Sequence, residues 1–243
     1  MRFLVLASAA ALAAACALVL PQRGAALRSA SSACGKRAYS YAGLDTVRPV
    51  DGVRATITAL ARPHVERGHA AGWIGVAGTS AGGSGIDEWI QVGLSAFPGD
   101  PTNHVYVEFA QPDHPARYIP LRATPAVGES HRFAVRELHG HPGWWRAWLD
   151  GKRVGPAVRL PGSHTRWSAQ LTGESWNAGS GACNLFSYAF GDVSLATPGP
   201  GAWKRPAHTQ SFEDRGYRLV RSGSAGFVAS SLGLPSRFLA GPR

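Results

Sequence analysis

The octapeptide at residues 87–94, D-E-W-I-Q-V-G-L, constrains the fold of this chain more than any other stretch. Side chains of an extended strand alternate between its two faces. Ile90, Val92 and Leu94 therefore share one apolar face, and Trp89, Gln91 and Gly93 share the other. An amide in mid-strand costs free energy to bury unless it is hydrogen-bonded. Gln91 thus marks a strand with a task beyond packing. The same alternation recurs at 104–110, where Tyr106 and Glu108 oppose Val105, Val107 and Phe109. It recurs again at 165–176, where Gln170, Thr172, Glu174 and Trp176 oppose Trp167, Ala169 and Leu171. Three segments offer one polar, aromatic face, which is the pattern of a lined cleft.

From Cys34 onward almost every segment alternates in this way and is broken at short intervals by turn residues. Strands are predicted at 53–61, 69–77, 87–96, 104–111, 117–122, 131–138, 144–150, 153–160, 165–174 and 184–195. Asp150-Gly151, between W-W-R-A-W-L and K-R-V-G, fits a two-residue type I′ hairpin turn. Thirty Gly and 17 Pro argue against long helices. The reading is an all-β antiparallel sandwich, one domain over 34–243. The Pro/Gly-rich stretch 198–206 reads as a linker or extended crossing. Residues 210–230 read as one or two last strands of the same sheet.

Residues 1–33 read as a secretory signal peptide and a short spacer: Arg2, an apolar run from Phe3 to Leu20, Pro21, then small residues. The run is close to the ~20 residues that span a bilayer, so an uncleaved anchor is the alternative. Cys16 follows three alanines but fits a lipoprotein cleavage box poorly. Removal of the signal leaves Cys34 and Cys183. In an oxidising compartment these two are expected to form a disulfide, the alternative being two free thiols. Closing so long a loop stabilises by ~4 kcal/mol on the chain-entropy account.

The formal net charge is +10, and only Lys36, Lys152 and Lys204 are lysines. The arginines fall singly between strands, with no run and no helical stripe. That distribution argues against a nucleic-acid partner. It reads as a solvated surface with at most a loose attraction to acidic polymers.

Trp73 in G-W-I-G-V, Gln91 in W-I-Q-V-G, Glu108 in V-Y-V-E-F and Glu174 in T-G-E-S-W follow one another in a suggestive order. Over about residues 70–176 the chain resembles the glutamic peptidases, or eqolisins. The resemblance implies a concanavalin A-like β-sandwich with a catalytic Gln/Glu dyad on its concave face, here Gln91 and Glu174. It implies supporting roles for Trp73 and Glu108, while Trp89, Tyr106 and Trp176 are read as substrate-binding or supporting from the strand faces they share with the dyad. It implies a polypeptide substrate, with no cofactor and no metal; the signal segment adds the expectation of a secreted protein with no lasting membrane partner after cleavage, read as a monomer. The chain departs from the family at Ser175, where a Trp usually follows the Glu, and in the Gly/Ser-rich loop 78–85.

The chemistry needs few parts. Amide hydrolysis requires a nucleophilic water and a place for the developing oxyanion. A carboxylate can take the water's proton, and an amide can orient the water and donate to the oxyanion. A carboxylate near its reference pKa is charged above about pH 4, which suits mildly acidic conditions. Other chemistries fit poorly. His139 and His141 flank Gly140 in H-G-H-P-G, where exposed loop rings are the expectation rather than a metal site. G-T-S-A-G-G-S-G at 78–85 lacks the Lys-Ser/Thr ending of a phosphate loop and reads as a flap or hairpin loop.

Two rivals follow from the same residues. A non-catalytic module would use Trp73, Trp89, Tyr106 and Trp176 to hold a glycan or an extended peptide. A glycoside hydrolase would pair Glu174 with Glu108 or Glu88, at ~5–9.5 Å between carboxyls. The N-terminal reading is tested by mass spectrometry of protein from the culture medium. A chain cleaved before Cys34 and carrying a Cys34–Cys183 bridge is expected; two alkylatable thiols would contradict it.

Overall fold

The computed structural model describes residues 39–79, 87–112, 114–197 and 202–232. Among them there is no helix, and every strand pairing is antiparallel. The strands are β1 (Tyr39–Thr46), β2 (Gly52–Ala59), β3 (His69–Thr79), β4 (Asp87–Phe97), β5 (Asp100–Ala110), β6 (Arg117–Pro120), β7 (Ser130–Glu137) and β8 (Trp144–Leu149). They continue with β9 (Lys152–Arg159), β10 (Ser168–Trp176), β11 (Ser187–Ala196), β12 (Trp203–Lys204), β13 (Thr209–Glu213), β14 (Tyr217–Arg221) and β15 (Phe227–Ser231). The first sheet runs β13-β1-β10-β3-β4-β5-β6. The second runs β14-β15-β11-β2-β7-β8-β9, with β12 on β11. Together they form a concanavalin A-like antiparallel β-sandwich.

The period-2 pattern explains the layering. Ile74, Ile90, Val92, Leu94, Val105, Val107 and Leu171 of the first sheet meet Val53, Ile57, Phe133, Val135 and Trp145 of the second, all fully buried. Aromatic rings fill one end of this interior. Phe186 stacks on Tyr188 and Tyr217, each at 5.5 Å, and Phe190 stacks on Phe227 at 4.4 Å. Glycines in the first sheet make room for them. A Cβ at Gly72 would come within 2.6 Å of the Tyr188 ring, and one at Gly173 within 2.5 Å of Phe186. Overpacking of that kind costs about 1–3 kcal/mol. Asp150 and Gly151 both take positive φ, 49° and 78°, as the type I′ turn between β8 and β9 requires.

The sequence pattern misplaces three things. β1 is absent from the predicted strands, because Y-S-Y-A-G-L puts small residues where bulky core residues are expected. The last segment supplies three strands rather than one or two, and they divide between the sheets: β13 joins the first, β14 and β15 the second. The linker at 198–206 contains the short β12, which pairs with β11. The signal segment, Cys34 and most of the 78–85 loop lie outside the described residues. Cys183 is buried.

Candidate active site

Four adjacent strands, β10-β3-β4-β5, carry the residues singled out above. Their register sets the outer face. Gln170, Gly75, Gln91 and Glu108 form one row across the sheet. Thr172, Trp73, Gly93 and Tyr106 form the next, and Glu174 lies beside Ala71 and Tyr41 in the one after. A cavity of about 670 Å³ opens over this face. Gln91, Glu174, Trp73, Trp89 and Glu108 all line it, so Gln91 and Glu174 share one face and one cavity with only β3 between their strands.

Glu174 is nine-tenths buried and both of its oxygens are engaged. Trp73 Nε1 donates to Oε2 at 3.0 Å, and His69 Nε2 lies 2.7 Å from Oε1. An ionised carboxylate has about four acceptor positions, so lone pairs remain for a water. Trp73 is therefore the floor that orients the carboxylate, itself buried with Ala71 and Tyr106. Gln91 is held in the same manner. Its Nε2 donates to Glu108 Oε2 at 2.9 Å and to the Tyr106 hydroxyl at 3.1 Å. An ionised Glu108 can only accept, which agrees with the amide nitrogen on its side. Both amide hydrogens are thereby committed at rest, and Oε1 is the end left for a water.

Glycines shape the floor between the two groups. A Cβ at Gly75 would sit 3.0 Å from Gln91 Cβ, and one at Gly93 would sit 2.8 Å from Trp73 Cβ. The carboxylates also feel one another. Burial and then the Glu174 charge raise the Glu108 pKa, against smaller lowering contributions from His69 and Gln91. Asp45, at the β1 edge of the cavity, is raised by burial, partly offset by a hydrogen bond from Gln170. Burial and nearby Glu174 raise Tyr41 and Tyr39 likewise.

Some expected roles change. Tyr106 does not line the cavity; it is fully buried beneath it and acts through its hydroxyl. Trp176 stands at the rim, 37% exposed, stacked on Tyr39 at 5.9 Å and 5.5 Å from the His69 ring. Glu88 faces the core and is wholly buried, so it cannot face Glu174 across the groove. Burial raises its pKa, with the Gly162 backbone offsetting part of the effect. His139 and His141 are exposed, and among the described residues there is no cluster of three or more His, Cys, Asp or Glu placed to hold a metal ion.

His69, Tyr39 and Tyr41 belong to this site and were not singled out. His69, Ala71 and Trp73 alternate on one face of β3, so the strand period alone places His69 beside the chosen Trp73. Tyr39 and Tyr41 sit on the strand the pattern missed.

Comparison with known structures bears on the fold. The chain matches scytalidoglutamic peptidase bound to a peptide-based transition-state analogue, with a TM-score of 0.58 and 18% identity over 79% of this chain and 98% of the other. It matches SCP-B, a member of the eqolisin family bound to the tripeptide Ala-Ile-His, with a TM-score of 0.55 and 17% identity over 79% and 98%. It shares their fold. No family profile and no curated protein matches the chain.

Glu108 makes a stability prediction. Its folded pKa lies above the unfolded value, so its stabilising contribution is complete below about pH 4 and is lost as pH rises through the folded pKa. Thermal melts of Glu108→Gln against wild type should show the variant gaining relative stability from about pH 4 upward. A relative loss over that range would contradict the assignment.

Proposed function

We propose that this chain is a secreted, acid-active endopeptidase of the glutamic type, with Glu174 and Gln91 as its dyad. The observation that supports the reading is the pair of buried, oriented polar groups sharing one cavity: Glu174 on Trp73 and His69, Gln91 on Glu108 and Tyr106. In this reading a water held between Glu174 and Gln91 Oε1 loses a proton to Glu174 as its oxygen bonds to the peptide carbonyl carbon. Gln91 then turns one N–H from Tyr106 toward the oxyanion. Glu174 returns the proton to the amine nitrogen as the C–N bond breaks. Trp89 and the Tyr39–Trp176 rim would flank an extended polypeptide.

A second reading has one observation in its favour. The Glu108 pKa is raised, as a glycosidase's general acid requires, and Glu108 lines the same cavity as Glu174. One assay separates the two. Proteolysis of a denatured protein at pH 2–6 should occur with wild type and fall by ~10²-fold or more in Gln91→Ala and Glu174→Ala. Equal proteolysis in all three, or hydrolysis of a glycan alone, would defeat the peptidase reading.

A further inference from the structure

The outer face of the second sheet gathers arginines that are far apart in sequence. Arg54 lies on β2, Arg132 and Arg136 on β7, Arg146 on β8, and Arg153 and Arg159 on β9. Their core-facing neighbours Val53, Ala55, Phe133, Val135, Trp145, Ala147 and Val158 are buried, so strand alternation turns the arginines outward. The strands are adjacent in the order β2-β7-β8-β9, about 4.8 Å apart. Among the described residues, none of these arginines forms an ion pair within 4.0 Å.

A second cavity of about 680 Å³ opens on this face, with Arg54, Arg132, Arg136, Trp148 and Trp203 in its walls. The Trp203 ring carries the Arg54 guanidinium at 4.7 Å and that of Arg136 at 5.7 Å. Gly52 makes space for this stack: a Cβ there would meet Trp203 Cη2 at 3.2 Å and Arg136 Cγ at 3.1 Å. Burial and then the Arg132 charge lower the Arg54 pKa, with Asp192 opposing. The acidic groups are concentrated at one end. Asp150 accepts from the Arg132 backbone N–H and contacts His131, while Asp192 accepts from Thr56. The rest of the face carries positive charge without an ion-paired acid.

We propose that this face is a binding surface for a carboxylated polysaccharide, a chain of uronic acid residues. Arginine offers planar paired donors that match a carboxylate, and an ion so bound needs no other cation. Trp144 and Trp148 project from β8 on this same face, about 13 Å apart, with Arg146 between them. Trp144 is 39% exposed and Trp148 half-buried, so both keep open ring surface. Ring, cation and ring along one strand suit a stiff polymer in which each unit brings both a pyranose face and a carboxylate. The arrangement lies on the opposite sheet from Glu174 and does not depend on the peptidase reading.

Binding of a polygalacturonate oligomer to the whole chain, measured by calorimetry, tests the proposal. Wild type should bind it, more weakly as salt rises, and should not bind a neutral cello-oligosaccharide. The Arg54→Gln/Arg136→Gln variant should lose about tenfold or more in affinity. Trp148→Ala, which removes no charge, should give an independent loss. No binding by wild type, equal binding by both variants, or tighter binding of a single-stranded oligonucleotide than of polygalacturonate would overturn it.

Discussion

The outer face of the first sheet depends on how a carboxylate can be buried there. Glu174 is nine-tenths removed from solvent, and an unpaired buried charge costs several kcal/mol. Trp73 Nε1 and His69 Nε2 compensate, one on each oxygen. A hydrogen bond to a charged group contributes about 1.5–3 kcal/mol. Both partners come from β3, which is why the β10–β3 register is so consequential: it sets Glu174 opposite Ala71, midway between His69 and Trp73. A slip by one residue would turn Glu174 into the core and Ser175 outward. The Gln91 arrangement repeats the logic one strand further on, with β5 supplying both partners.

The two sheets present outer faces of opposite character. The first sets Glu174, Glu108 and Asp45 around an aromatic cavity. The second sets arginines around indoles. The core between them is mostly apolar and aromatic, with Glu88 buried in it, and each face carries its own chemistry. A net charge of +10 therefore describes neither face: the acidic groups of the groove sit within a basic chain.

Much of the groove was legible in the sequence because strand alternation is local. Trp89, Gln91, Tyr106, Glu108 and Glu174 each fall on the face that their neighbours predict. Trp73 was legible only through the resemblance, and its hydrogen bond to Glu174 spans 101 residues. His69 was one of nine histidines, and its partner is 105 positions away. β1 was missed because its inward residues are small, and with it went Tyr39 and Tyr41. Glu88 shares its strand face with Ile90 and Val92, so alternation already turns it toward the core, whereas the arginines look scattered until the strands are paired. Spacing along the chain does not reveal which strands become neighbours.

The central claim is that Glu174 performs chemistry rather than holding substrate or structure. Glu174→Gln retains the shape of the side chain and an oxygen to accept from Trp73. Calorimetry of a short peptide with this variant, paired with single-turnover cleavage of the same peptide, is the most direct measurement. The account predicts affinity within a few-fold of wild type and cleavage slower by ~10²-fold or more. Cleavage at the wild-type rate would contradict it.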